Sequence, residues 1–198
     1  MAMRSPRGPA EIVLLLAALA AVAGCGGGTS ESESPASTPA ATPADAVRSS
    51  PTPASASGPL ADLLPDELGG IVLTKRTVLG PDLGELEAEE AANFAKVLAN
   101  VDGPPEAFAV ASATGEGLAI GAWRMEGTDG RQLGESFIGF ISGLSATKVE
   151  DITIGGKDVK RMTPANTTPL HIYVTGEIMF TVQAKDPALV EEAFAVLP

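Results

Sequence analysis

The clearest hydrophobic pattern in the chain is helical and lies between residues 129 and 144. Its apolar members recur at the spacing of one helix face: Leu133, Phe137, Phe140, Ile141 and Leu144. Such a stripe predicts an amphipathic helix packed on a core. Thr128 or Asp129 can cap its first turn.

Two further helices are predicted from the same periodicity. One follows the turn at Gly80-Pro81-Asp82 and ends near Val101, and the other begins with Asp186 as its cap and Pro187 in its first position. Four glutamates crowd the first turns of the earlier helix: Glu85, Glu87, Glu89 and Glu90. A solvated helix start, favoured by the helix dipole, explains them better than a cation site.

Apolar runs rich in β-branched residues predict the strands, and short glycine-containing turns join several of them into hairpins. The predicted strands cover residues 71–79, 108–113, 118–126, the two arms of a hairpin around 152–159, 170–174 and 178–184. The turn of the 152–159 hairpin is Gly155-Gly156, which sets its register. The cross-strand pairs are then Ile152–Val159, Asp151–Lys160 and Glu150–Arg161, two of them between opposite charges.

The order of elements predicts an α+β fold. A short helical lead-in at Leu60–Leu68 ends at Gly69-Gly70 and precedes strand, helix, strand, strand, helix, strand, three more strands and a helix. We expect a mostly antiparallel sheet of about six or seven strands with helices packed on one face. The first six elements match a ferredoxin-like start (βαββαβ), followed by an extra hairpin and the C-terminal helix.

The strands at 108–113 and 118–126 separate large from small side chains. Large residues on one set of faces are Phe108, Val110, Leu118 and Ile120. The small faces carry Ala107, Ala109, Ala111, Ala119 and Gly121, and Trp123 points the same way. A sheet surface made of small residues allows another group to approach the sheet closely. That group is either a helix of the same domain or a ligand under Trp123. Trp123 is therefore a candidate ligand or partner surface.

Lys157, Lys160 and Arg161 form a basic cluster in an otherwise acidic region, which suggests an anion site. The predicted register gives Lys160 and Arg161 carboxylate partners across the hairpin. Lys157 is left as the second candidate residue for a ligand or partner surface.

Residues 1–59 differ in composition from the rest of the chain. All eight aromatic residues lie after residue 93, and 25 of the 31 residues from 29 to 59 are Ser, Thr, Pro or Ala. Such a segment buries too little apolar surface to fold, which predicts a disordered tether over residues 25–59 and a single α+β domain over 60–198. The tether would span about 30 Å as a random coil and about 95 Å when extended. Its Ser and Thr beside Pro are also compatible with O-glycosylation.

The first 24 residues have the layout of a secretory signal peptide. Arg4 and Arg7 precede twelve uncharged residues from Ile12 to Ala23, a run too short for a comfortable membrane span.

The sequence Val22-Ala23-Gly24-Cys25 resembles the lipobox of bacterial lipoproteins, although Val22 stands where Leu is commoner. The resemblance implies cleavage between Gly24 and Cys25 and lipidation of Cys25, with palmitate-type acyl chains as the anchor. The alternative is an ordinary secretory signal with an incidental cysteine. Cys25 is the single cysteine of the chain, so no intramolecular disulfide can form.

The charge balance limits the partners. The chain has a formal charge of −12, and residues 60–198 contain 21 acidic and 10 basic residues. An acidic surface repels phosphate backbones and anionic lipid, so we expect no nucleic-acid partner and attachment to the membrane through the Cys25 lipid alone. The expected location is the extracytoplasmic face of the cell membrane.

The sequence offers few groups for catalysis. His171 is the single histidine and lies in a predicted strand, and no second His or Cys of the domain could complete a zinc site. We expect no catalytic residues, no metal and no cofactor. The favoured hypothesis is a non-catalytic domain that binds an envelope protein or a small ligand. The alternative is an envelope hydrolase that uses Asp and Glu side chains.

Overall fold

The computed structural model describes residues 59–165 and 167–198. The predicted signal peptide, Cys25 and almost all of the tether lie outside the described residues. The described helices are α1 (Ala88–Leu98), α2 (Gly130–Leu144) and α3 (Pro187–Val196), with short 3-10 helices at Leu60–Leu63, Gly80–Glu85 and Pro105–Ala107. The strands are β1 (Glu67–Leu68), β2 (Ile71–Val72), β3 (Thr74–Leu79), β4 (Phe108–Gly115), β5 (Leu118–Met125), β6 (Thr147–Ile154), β7 (Lys157–Pro164), β8 (Leu170–Thr175) and β9 (Ile178–Ala184).

Seven strands form one antiparallel sheet in the order β3-β4-β5-β9-β8-β7-β6, and β1 pairs with β2 in a separate two-stranded sheet. The large sheet consists of two meanders, β3 to β5 and β6 to β9, which meet where β5 pairs with β9. All seven residues of β9, the middle strand, are buried. The prediction of an α+β fold with a mostly antiparallel sheet of about six or seven strands is confirmed.

The ferredoxin-like start is not confirmed by this strand order. In a split βαβ arrangement, the strands on either side of the first helix do not pair with each other directly. Here β3 and β4 flank α1 and are antiparallel neighbours, from Thr74 opposite Thr114 to Leu79 opposite Ala109. The place beside β5 is filled by β9, which comes from the end of the chain.

Helices cover both faces of the sheet, so the expectation of helices on one face was wrong. Phe180 and Val182 of β9 share a core with Phe194 of α3, whereas Met179 shares a core with Leu133 and Phe137 of α2. We call these the α3 face and the α1/α2 face. The physical reason is that β9 is apolar on both sides, and a sheet with two apolar faces needs two covering layers.

The N-terminal lead-in differs from its prediction in two places. Gly69 and Gly70 do not end a helix but form the turn between β1 and β2, with φ of 56° and 76° that favour glycine. The predicted strand over residues 71–79 is interrupted at Leu73, whose backbone N–H donates to the Asp66 carbonyl oxygen at 2.8 Å. Leu60, Leu64 and Leu68 are buried on the α3 face, so this lead-in belongs to the core there.

The register of the β6–β7 hairpin is confirmed. Gly155 and Gly156 have φ of 59° and 79°, as a two-residue type I′ turn requires. All three predicted pairs are present: Ile152–Val159, Asp151–Lys160 and Glu150–Arg161. Lys160 Nζ lies 2.7 Å from Asp151 Oδ1, and Arg161 Nη2 lies 2.8 Å from Glu150 Oε2. The Asp151–Lys160 pair is exposed and the Glu150–Arg161 pair is half-buried, and both match the register that the turn sets.

Candidate functional site

Trp123, the first candidate residue, is a core residue of the α1/α2 face with 3% of its surface exposed. Its ring lies among three phenylalanines, with centroid distances of 5.7 Å to Phe94, 6.1 Å to Phe108 and 5.1 Å to Phe137. These distances and the tilted ring planes are those of favourable aromatic pairs. The indole Nε1 donates to Thr181 Oγ1 at 3.2 Å, so its polar atom is also satisfied.

The room above Gly121 is filled by Trp123 itself. A Cβ atom at Gly121 would lie 2.8 Å from Trp123 Nε1 and 2.5 Å from Thr181 Oγ1, closer than real Cβ contacts. The small residue is therefore needed so that the indole can lie against the strand that carries it. The geometry favours neither a ligand nor a helix in this place.

The small residues of β4 and β5 do not form one floor. The register sets Ala111 opposite Ala122 on the α3 face, whereas Val110 lies opposite Trp123 on the α1/α2 face. The small face of β5 therefore shares a side of the sheet with the large face of β4. The idea of a continuous small-residue surface under Trp123 was wrong for this reason.

A cavity of about 30 Å³ remains beside Trp123, between the sheet and α2. Its polar lining comes from Ser112, Thr181 and Gln183. Gln183 Nε2 donates a hydrogen bond to the Thr168 carbonyl oxygen at 3.0 Å. A volume of this size holds one or two water molecules and is far below that of a small-molecule site.

Lys157, the second candidate residue, lies on the other side of the sheet from Trp123. Its Nζ is 5.7 Å from the ring centroid of Tyr173, a cation–π distance. Tyr173 packs against the α3-face core, through Phe180 and Phe194. The structure therefore does not bring Trp123 and Lys157 together into one surface.

The other two residues of the basic cluster, Lys160 and Arg161, are paired with carboxylates. Glu150 accepts hydrogen bonds from Lys148 Nζ at 2.7 Å and from Arg161 Nη2 at 2.8 Å, and these two hydrogen bonds, that of Lys148 first, lower the pKa of the Glu150 carboxyl. Lys160 is held by Asp151. Positive charges that are already paired in this way favour a specified hairpin over an anion site.

His171 is buried on the α3 face, next to Arg161 on β7 and Val182 on β9. Its ring meets Phe194 edge-on at 6.4 Å, and no described residue hydrogen-bonds its Nδ1. Burial lowers the pKa of His171, and the charge of Arg161 lowers it further, while a hydrogen bond with the Val182 backbone raises it. This environment is that of a packed neutral side chain.

We expect the domain to lose stability as the pH falls through the unfolded pKa of histidine, about 6.5. The folded pKa of His171 is depressed, so the unfolded state binds the extra proton first and is favoured by acid. Unfolding by urea at a series of pH values between about 7 and 5 measures this slope. The variant His171→Leu should flatten the slope in this window. An equally steep slope in His171→Leu would show that another group is responsible.

A second, open cleft of about 460 Å³ lies where the start of α2 meets the β8–β9 turn. Gly130 N–H donates to the Gly176 carbonyl oxygen at 3.0 Å and holds the two together. Asp129 and Glu177 line the cleft with Arg131. The Asp129 carboxylate caps α2 by accepting from the Arg131 N–H at 2.9 Å. The sequence did not indicate this cleft, because it depends on contact between two turns far apart in the chain.

Over residues 59–165 and 167–198, no three His, Cys, Asp or Glu side chains are grouped so that they could hold a metal ion. No helix of this part of the chain is long and apolar enough to cross a membrane. The chain matches no protein-family model, no curated protein and no solved structure.

Proposed function

We propose that this protein is a lipoprotein anchored on the extracytoplasmic face of the cell membrane, with a non-catalytic domain that binds a partner. The observation that carries the proposal is the sequence Val22-Ala23-Gly24-Cys25, which places the single cysteine directly after a short apolar run. Two or more acyl chains on Cys25 would give stable anchoring, since each buried methylene contributes about 0.8 kcal/mol.

The domain supports the non-catalytic part of the proposal, because its distinctive side chains are engaged in packing and in ion pairs. Trp123 is enclosed by aromatic rings, His171 is buried, and Lys160 and Arg161 are paired with carboxylates. A partner, an envelope protein or a small ligand, would be bound on the outer surface, which the tether can hold up to about 95 Å from the lipid.

The hydrolase alternative has one specific feature in its favour, the two carboxylates Asp129 and Glu177 in one cleft.

The anchoring is tested by replacing Cys25 with serine in the full chain. We expect Cys25→Ser to abolish incorporation of labelled palmitate and either to release the protein from the membrane fraction or to leave it as an uncleaved precursor. Ser30→Ala, five residues further into the tether, is the matched control and should be processed like the unsubstituted protein. Unchanged cleavage and membrane retention in Cys25→Ser would contradict the proposal.

A further inference from the structure

Strand β6 is an outer edge of the seven-stranded sheet and is eight residues long. Within residues 59–165 and 167–198, no segment other than β7 makes backbone hydrogen bonds to it. The opposite edge strand, β3, is shorter, and the 3-10 helix Leu60–Leu63 packs against it. A long edge strand whose backbone groups are unpaired is a template for pairing with another strand.

The turn at Gly155-Gly156 decides which backbone groups of β6 point outward. In a two-residue hairpin, the residues that close the turn, Ile154 and Lys157, exchange both hydrogen bonds. Hydrogen-bonded and non-hydrogen-bonded pairs then alternate along the ladder. The residues whose N–H and C=O groups face away from β7 are Thr147, Val149, Asp151 and Thr153.

One member of this outward row, Val149, is an exposed apolar residue. Val149 is 41% exposed and is one of four large hydrophobic residues exposed in the described part of the chain. Lys148 and Asp151 on either side of it are also exposed. Charges on an edge strand disfavour pairing with a strand that would place like charges opposite them. They do not disfavour pairing with a strand that places opposite charges there.

We propose that the occupant of this edge is β6 of a second copy of the same chain, paired antiparallel and centred on Val149. In that register Val149 lies opposite Val149 of the second copy, as an outward hydrogen-bonded pair. Lys148 and Glu150, which contact each other at 2.7 Å within one chain, then lie opposite Glu150 and Lys148 of the second copy, so that the two ion pairs join into one network of alternating charges across the two-fold axis.

Neighbouring registers are worse. Antiparallel pairing sets residues of the same sheet face opposite each other, so a symmetric pair must be centred on one residue. Centring on Glu150 or on Asp151 brings two identical carboxylates together, and centring on Lys148 brings two ammonium groups together. Centring on Ile152 or Thr153 leaves the charged residues without opposite partners. Charge complementarity therefore selects Val149.

This pairing keeps both tethers on one side. Two identical antiparallel strands are related by a two-fold axis normal to the sheet, which leaves each sheet face on its own side. The lead-in at Leu60 and Leu64 is packed on the α3 face of each copy. Both tethers therefore leave from the same side, as two lipid anchors in one membrane require; this step rests on the proposed anchoring through Cys25. Anchoring both copies in one membrane raises their effective concentration and favours even a small interface.

The test is disulfide trapping in the full chain, in membranes, with a mild oxidant. Val149→Cys should form a covalent dimer on a non-reducing gel. The Cα atoms of a hydrogen-bonded antiparallel pair are about 5.5 Å apart, within the range that a disulfide spans. Thr153→Cys is the matched control, because it lies on the same strand, in the same outward row, and is exposed. In the proposed register its two copies are about 27 Å apart and should not cross-link.

A charge change tests the register. Adding Lys148→Glu to Val149→Cys should reduce the cross-linked dimer about fivefold, because two favourable pairs become two repulsive ones. An unchanged thermal transition of this variant would show that the loss is not due to unfolding. The proposal is overturned if Val149→Cys gives no dimer, if Thr153→Cys gives as much dimer, or if Lys148→Glu has no effect.

Two further samples on the same non-reducing gel distinguish a failure of the edge pairing from a failure of the proposed lipid anchoring. A disulfide dimer of the unsubstituted chain would show that Cys25 is a free thiol and would contradict the lipidation alone. Val149→Cys in a Cys25→Ser background removes the anchor but keeps the edge. A dimer retained there supports edge pairing that needs no membrane, and a dimer lost only there supports pairing that depends on co-anchoring.

Discussion

Replacing Trp123 with alanine is expected to lower the free energy of unfolding by about 3–5 kcal/mol, the usual cost of removing a large buried aromatic side chain. The indole fills the space between three phenylalanine rings and the strand at Gly121, so its loss leaves a cavity that rigid neighbours cannot close. Urea unfolding followed by circular dichroism measures the change, because Trp123 is the single tryptophan and fluorescence is lost with it.

Thr181→Val is the matched control for this prediction. It keeps the volume of the side chain and removes the hydroxyl that accepts the indole N–H. The expected cost is about 1 kcal/mol, with the indole left in place. If Trp123→Ala cost no more than Thr181→Val, the ring would not be a packing element and this prediction would be wrong.

The second large effect is expected at Gly80, which begins the 3-10 helix after β3. A Cβ atom there would overlap the Pro105 carbonyl oxygen and lie 2.7 Å from the Glu106 Cα. Both obstacles are backbone, so no side chain can move aside, and the 3-10 helices on each side must separate. We expect Gly80→Ala to lower the free energy of unfolding by about 3 kcal/mol, at the upper end of the cost of overpacking.

Gly84→Ala is the internal comparison, since Gly84 lies in the same 3-10 helix with no atom within 4 Å of an added Cβ. Its effect should be neutral or stabilising by up to about 1 kcal/mol, because alanine restricts the unfolded chain. Thermal or urea unfolding of the two variants side by side gives the difference. Equal destabilisation by both would show that the helix itself, and not the contact with Pro105, is sensitive to alanine.

The features that local sequence determines could be predicted. The Gly155-Gly156 turn fixed the β6–β7 register, because both glycines supply the positive φ that a type I′ turn needs. The stripe of α2 and its Asp129 cap identified that helix from residues within a few turns of one another. The long-range pairs could not be predicted, since no residue of β5 specifies that β9 and not β6 lies beside it.

The candidate site shows the same division. The alternation of large and small residues along β5 was visible in the sequence. Whether the small face of β5 lies on the same side of the sheet as the small face or the large face of β4 depends on the register across the turn. Gly121 was recognised as a point of close approach, and the approaching group proved to be the indole two residues along the same strand. A pattern can show that space is needed without showing which group fills it.

The central position of β9 has a consequence for how the chain becomes folded. The strand in the middle of the sheet is the last of the described strands to be synthesised, and it joins the two meanders. The β3–β5 meander cannot complete its pairing until residue 184 is available, and contacts of such long sequence separation form slowly. The seven-stranded sheet is therefore incomplete until β9 has been made, and the two meanders are joined only at that late step.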